Sequence, residues 1–214
     1  MHIHGERSEK MRRTLLCVVV SLSLLAALLV SLAPSKSEAA PPEEKPHKWL
    51  REIGLLSGYG SAPLGKKASE YEVIPLLPQF GFDINPLAKR LHIEPKGTFE
   101  GVIEPLMNVV THPDANAEVG CSFFLKYSQK ITSRIAPYIE GGLGMVYTTQ
   151  HTHEQGTQFN FLTQAGAGIH FFLTNQVALT AGYRFRHLSN AGMDGDNEGI
   201  DHHFGLVGVS YFFQ

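Results

Sequence analysis

From Leu50 to its end the chain alternates apolar and polar residues with a period of two through most of its length. Side chains of an extended chain point to opposite faces in turn, so such a run predicts a strand with one apolar face. The pattern is clearest late in the chain. Val177, Leu179, Ala181, Tyr183 and Phe185 share one face, and Ala178, Thr180, Gly182, Arg184 and Arg186 share the other. Val119, Cys121, Phe123, Leu125 and Tyr127 oppose Gly120, Ser122 and Lys126 in the same way. Near the end Val207, Val209, Tyr211 and Phe213 form one row. The opposite row holds Gly208 and Ser210, and is made partly apolar by Phe204, Leu206 and Phe212. Eight extended segments are predicted, at 50–62, 70–83, 98–111, 117–129, 134–149, 158–173, 176–188 and 199–213. Recurrent glycines, as in Gly141-Gly142-Leu143-Gly144 and Ala165-Gly166-Ala167-Gly168, oppose helix throughout. Only Pro86 to Leu91 suggests a helical turn.

Segment length selects the architecture. Strands of soluble proteins run about five or six residues, whereas a tilted membrane strand needs about nine to eleven. Most segments here are longer than either. An even strand count with apolar alternation then predicts an all-β, eight-stranded antiparallel transmembrane β-barrel over 50–214. Arginines on the seventh strand belong in its lumen, and the opposing apolar row belongs against lipid. Lys130 to Ser133 and Thr174-Asn175 read as short periplasmic turns, which places 189–198 on the outer side. The link 84–97 is long for this rule.

The start of the chain reads as a secretory signal. Met11-Arg12-Arg13 is basic, Leu15 to Leu32 is apolar apart from three serines, and Ser37-Glu38-Ala39 offers small residues for cleavage after Ala39. Residues 1–39 are therefore assigned to a signal peptide, with 1–10 as an upstream extension, and 40–49 to a proline-rich periplasmic tether. By length alone the apolar run also suits an uncleaved membrane helix. Removing 1–39 lowers Lys plus Arg from 18 to 13 and Asp plus Glu from 20 to 17, a net charge of about −4. No basic stripe points to nucleic acid. Cys121 is the one cysteine left, so no intramolecular disulfide can form.

The densest chemistry lies at Arg186-His187-Leu188-Ser189-Asn190-Ala191-Gly192, followed by Asn197-Glu198-Gly199-Ile200-Asp201. His187 and Ser189 continue the odd-numbered, lipid-facing row. Asp201 is in step with Val207 through Phe213, so all three project outward unless a bulge intervenes. Serine, imidazole and carboxylate are the parts of an acyl-transfer triad, with Ser189 as nucleophile, His187 as base and Asp201 orienting the ring. Asn190 and the Gly192 N–H are candidate oxyanion donors. Asn197 and Gly199 read as turn residues, and the whole of 190–197 also reads as ordinary turn chemistry. A triad on the outer wall would meet a lipid. It calls for no cofactor and no metal.

The run His-x-Ser-Asn-Ala-Gly, followed by Asn-x-Gly-x and an acid, resembles the lipid A 3-O-deacylases of the PagL type over residues 184–213. The resemblance implies a small outer-membrane barrel that removes the ester-linked 3-hydroxyacyl chain at position 3 of lipid A in the outer leaflet. It carries the family's histidine and serine onto His187 and Ser189, and its oxyanion donors onto Asn190 and Gly192. The family's glutamate falls at Asp201, a shorter acid that would require a backbone adjustment to reach His187. Glu198 is the alternative acid, but its even number turns it inward.

Weaker constellations remain. His151-x-His153-Glu154 in an outer loop lacks further metal ligands. His202-His203 puts one ring on each face. Lys66-Lys67 would meet lipid phosphates or merely solvent, and Arg184 and Arg186 should pair with lumenal acids such as Glu104 or Glu140. The competing readings are a catalytically silent structural or adhesive barrel, and a soluble β-domain on an N-terminal anchor. Oligomeric state is open, a homodimer included.

Overall fold

The computed structural model describes residues 49–64, 69–149, 156–193, 195 and 197–213. The signal segment 1–39, the tether up to residue 48, Lys66-Lys67 and His151-x-His153-Glu154 lie outside the described residues. The chain forms a closed antiparallel barrel in sequence order, β1 to β8. The strands are β1 Leu50–Leu64, β2 Ser69–Asp83, β3 Thr98–His112, β4 Asn116–Ser128, β5 Ile135–Thr148, β6 Phe159–Phe172, β7 Val177–Ser189 and β8 Ile200–Phe212. Each is 13 to 15 residues long, enough to cross a bilayer with tilt. No helix among the described residues is long and apolar enough to cross a membrane; the strands make the crossing.

The long link between β2 and β3 holds one short helix, α1, at Asn85–Arg90. Pro86 occupies its first turn, where a missing N–H costs nothing, and Lys89 and Arg90 sit in its last turn, favourably placed for the helix dipole. Asp83 Oδ1 accepts the Asn85 N–H at 2.8 Å, and Asn85 Oδ1 accepts the Phe99 N–H at 2.9 Å. The segment is thus a clasp between two strands and hides no ninth one. Link length does not follow the outer-long, inner-short rule: β3 and β4 are joined by residues 113–115 at the same rim as the loop 190–199. An even strand number still sets both barrel ends, Leu50 and Phe212, at the rim opposite that loop.

Alternation divides the wall into two populations. Along β7 the even residues Thr180, Arg184, Arg186 and Leu188 are buried, while Leu179, Ala181 and Tyr183 are exposed. Val177 and Val209 are buried despite belonging to the outward rows. The lumen is packed, not hollow. Arg184 Nη1 donates to Glu104 Oε1 at 2.6 Å, and Nη2 lies 2.8 Å from Glu140 Oε1. Arg186 Nη1 and Nη2 donate to Glu118 at 2.7 and 3.1 Å, and Glu118 also accepts from Tyr71 Oη at 2.9 Å and Asn108 Nδ2 at 2.8 Å. Towards the other rim Lys126 pairs with Glu52 and, at 3.5 Å, with Glu100. Leu162, Leu188, Ile200, Val73 and Val110 belong to an apolar cluster that also takes in Phe204 and Leu206.

Breaking one member of a buried ion pair strands its partner's charge at a cost of about 3–5 kcal/mol, more than the pair itself contributes. Arg186→Leu leaves Glu118 with only its two neutral donors. The expected outcome is a barrel destabilised by about 3–5 kcal/mol in urea titrations of protein folded in vesicles. A loss below about 1 kcal/mol, the size expected of an exposed pair, would contradict the lumenal role.

Candidate active site

The β7–β8 ladder runs without a register shift from Val177↔Tyr211 to Leu188↔Ile200. Within it His187 and Asp201 stand directly opposite each other. Opposed side chains on one face have Cβ atoms about 4.5–5.5 Å apart, which an aspartate and an imidazole can bridge. His187 Nδ1 and Asp201 Oδ1 do so at 2.6 Å. The backbone adjustment expected for the shorter acid is therefore not needed, because direct pairing supplies the reach. Glu198 is exposed in the loop and makes no bond to His187. Both partners project outward, with side chains 41% and 56% exposed.

Ser189 ends β7, two residues beyond His187 on the same outward row and opposite Phe161 of β6. Its hydroxyl makes no hydrogen bond to a described residue. The carboxylate–imidazole half of the arrangement is closed, and the imidazole–serine half is open. With Nδ1 committed to Asp201, the ring's other nitrogen, Nε2, is the one left to serve a hydroxyl on that row.

The loop that follows is built by asparagines. Asn197 Oδ1 accepts the Asn190 N–H at 2.9 Å, and Asn190 Oδ1 accepts the Gly192 N–H at 2.8 Å. Asn190 is fully buried on the lumenal parity. Ala191 and Gly192 both take positive φ, 53° and 78°, a conformation that costs a non-glycine residue free energy and that functional loops often retain. The Gly192 N–H assigned to an oxyanion is thus engaged within the loop in this state.

Gly199 has more than a turn to make. Its φ is 76°, and a Cβ placed there would stand 2.7 Å from His187 Cε1. The imidazole lies against the bare backbone at the entry to β8. Sequence reasoning placed Gly199 in the turn but missed this contact, since only the φ and the ring position reveal it. Behind the wall His202 is buried edge-on to Tyr71, centroids 4.9 Å apart, while His203 faces out, as their opposite parity requires. No group of three or more metal-ligating side chains occurs among the described residues.

The fold and this wall define a class, a small outer-membrane barrel with an imidazole–carboxylate pair on its lipid-facing surface near one rim. The family model described as lipid A 3-O-deacylase (PagL) matches residues 79–210, and the chain belongs to that family. A crystal structure of the outer membrane enzyme PagL is 18% identical, with TM-score 0.52, covering 74% of this chain and 97% of that one. Neisserial surface protein A (NspA) has the same fold at 15% identity and TM-score 0.55, covering 76% of this chain and 96% of its own. No curated protein matches in sequence.

Adding one methyl at position 199 tests the seating of the ring. Gly199→Ala should keep the heat-modifiable migration of a folded barrel while displacing His187 from Asp201. Ring-proton shifts of His187 in NMR spectra should change; spectra identical to the native protein's would show that the contact places no constraint on the ring.

Proposed function

We propose that the chain is a serine esterase that removes the 3-O-linked hydroxyacyl chain of lipid A from the outer leaflet. The observation that carries this is the His187 Nδ1···Asp201 Oδ1 bond on the outward wall, 2.6 Å long and beside Ser189. An ionisable pair facing hydrocarbon is costly, and its placement next to a hydroxyl within a deacylase family supports a catalytic use.

In the proposed reaction Ser189 Oγ attacks the ester carbonyl and passes its proton to His187 Nε2, while Asp201 holds the resulting imidazolium. The developing oxyanion displaces Asn190 Oδ1 from the Gly192 N–H and takes that donor. Collapse breaks the bond to the sugar oxygen, which leaves with the proton from His187. Water then attacks the acyl-Ser189 carbonyl, gives its proton to His187, and releases the fatty acid as Ser189 recovers a proton. The substrate reaches the site along the wall, so no lumenal path is required. The packed lumen is compatible with this route.

The silent-barrel reading makes the opposite forecast for lipid composition, and one experiment separates the two. Lipid A from cells expressing the native protein should lose one 3-hydroxyacyl group by mass spectrometry. Ser189→Ala and His187→Ala should show no loss. Asp201→Asn, which keeps the shape but not the charge, should lower turnover by about 10³–10⁴-fold. Unchanged lipid A with well-folded native protein would remove the proposal.

A further inference from the structure

A second polar pair lies on the lipid-facing wall further from the loop rim than His187 and Asp201, His203 by one row and Tyr183 by two. Tyr183 Oη and His203 Nδ1 are 2.6 Å apart, on the outward faces of β7 and β8. Two residues of strand advance about 7 Å, so His203 stands about that far below Asp201. His203 thus lies deeper along the outward wall than Asp201, in the direction away from the loop rim.

A neutral imidazole carries one N–H and a phenol one O–H. Their mutual bond uses one of these two donors, whichever tautomer is present. Neither residue has a further hydrogen bond among the described residues, so one donor is left facing acyl chains, where an unmatched polar group is unfavourable. Phenylalanine at both positions would have avoided this. The next outward residue on β8 is Gly205, set in register between Tyr183 of β7 and Tyr59 of β1. Nothing lies within 4 Å of the place its Cβ would occupy. The wall thus has a gap walled by two tyrosines, with a spare hydrogen-bond donor at its upper end.

We propose that Tyr183, His203 and the gap at Gly205 form a subsite that seats an acyl chain and donates a hydrogen bond to an oxygen that chain carries near its head-group end. The acceptor is a chain hydroxyl or a linkage carbonyl. The subsite rests on the lipid-substrate reading above and extends it, making His203 and Tyr183 positioning residues that set which chains are held.

Binding can be read without turnover. The Ser189→Ala protein in detergent micelles is titrated, by native mass spectrometry, with a phosphorylated glucosamine lipid bearing 3-hydroxyacyl chains and with the same lipid bearing unsubstituted chains of equal length. Combining His203→Phe with Tyr183→Phe removes both donors and should weaken binding of the hydroxylated lipid by about tenfold, the worth of one hydrogen bond. Gly205→Leu should weaken both lipids by filling the gap. Loss confined to the hydroxylated lipid identifies the hydroxyl as acceptor, and equal loss on both identifies the carbonyl. Binding of both lipids at parental strength by the folded double variant and by Gly205→Leu would overturn the subsite, as would a parent that binds neither. Should the double variant fail to fold, Gly205→Leu carries the test through the gap. A parent that binds while the native Ser189 protein leaves the lipid intact would refute the esterase reading and spare the subsite.

Discussion

Closing eight long strands into one barrel leaves every side chain only two destinations, a lumen with no bulk water or a surface covered by lipid. All else in this protein is arranged around that division. Charges are tolerable in the lumen only if matched, and Arg184, Arg186 and Lys126 are each held by carboxylates. Charges on the outside are tolerable only near a rim or when paired, and His187 with Asp201 meets both conditions. Arg186 and His187 are neighbours in sequence, yet one anchors the interior and the other faces the membrane. The same period of two gives the strand a scaffolding face and a face that carries His187.

Rigidity follows from the same source. Glu118 collects four hydrogen bonds, from Arg186, Tyr71 and Asn108, directly behind the wall that carries His187. A site on strands backed by such a network is held more tightly than one on loops, although Arg186 Nε and Asn108 Oδ1 make no hydrogen bond within it. Only the loop after Ser189 leaves the ladders, where the positive φ values of Ala191 and Gly192 occur. The fixed half of the site is the imidazole–carboxylate pair, and the adaptable half is the loop that follows Ser189.

Much of this was legible in the residues. Eight strands could be counted to within one or two residues, because alternation and length are written locally. The outward direction of His187, Ser189 and Asp201 follows from parity alone, given a ladder without a bulge. The pairing partner of Arg186 was not legible: Glu118, and not Glu104 or Glu140, meets it, since which lumenal acid faces which arginine depends on barrel curvature across four strands. The reach of Asp201 was underestimated because sequence separation hides direct register. Gly199 looked like a turn residue, since nothing in a sequence reports what lies over a missing Cβ. Gly192 was read as a free donor because its engagement by Asn190 Oδ1 is a matter of loop conformation.

A serine esterase of this kind needs Ser189, beside the His187–Asp201 pair, to be an activated nucleophile. The most direct measurement is covalent labelling with a long-chain alkyl fluorophosphonate supplied in the bilayer of reconstituted vesicles, followed by peptide mass spectrometry. The adduct should fall on Ser189, form readily in the native protein, and be lost in His187→Ala and strongly slowed in Asp201→Asn. Absence of an adduct on Ser189 in a well-folded barrel, or labelling that ignores His187, would contradict the esterase reading.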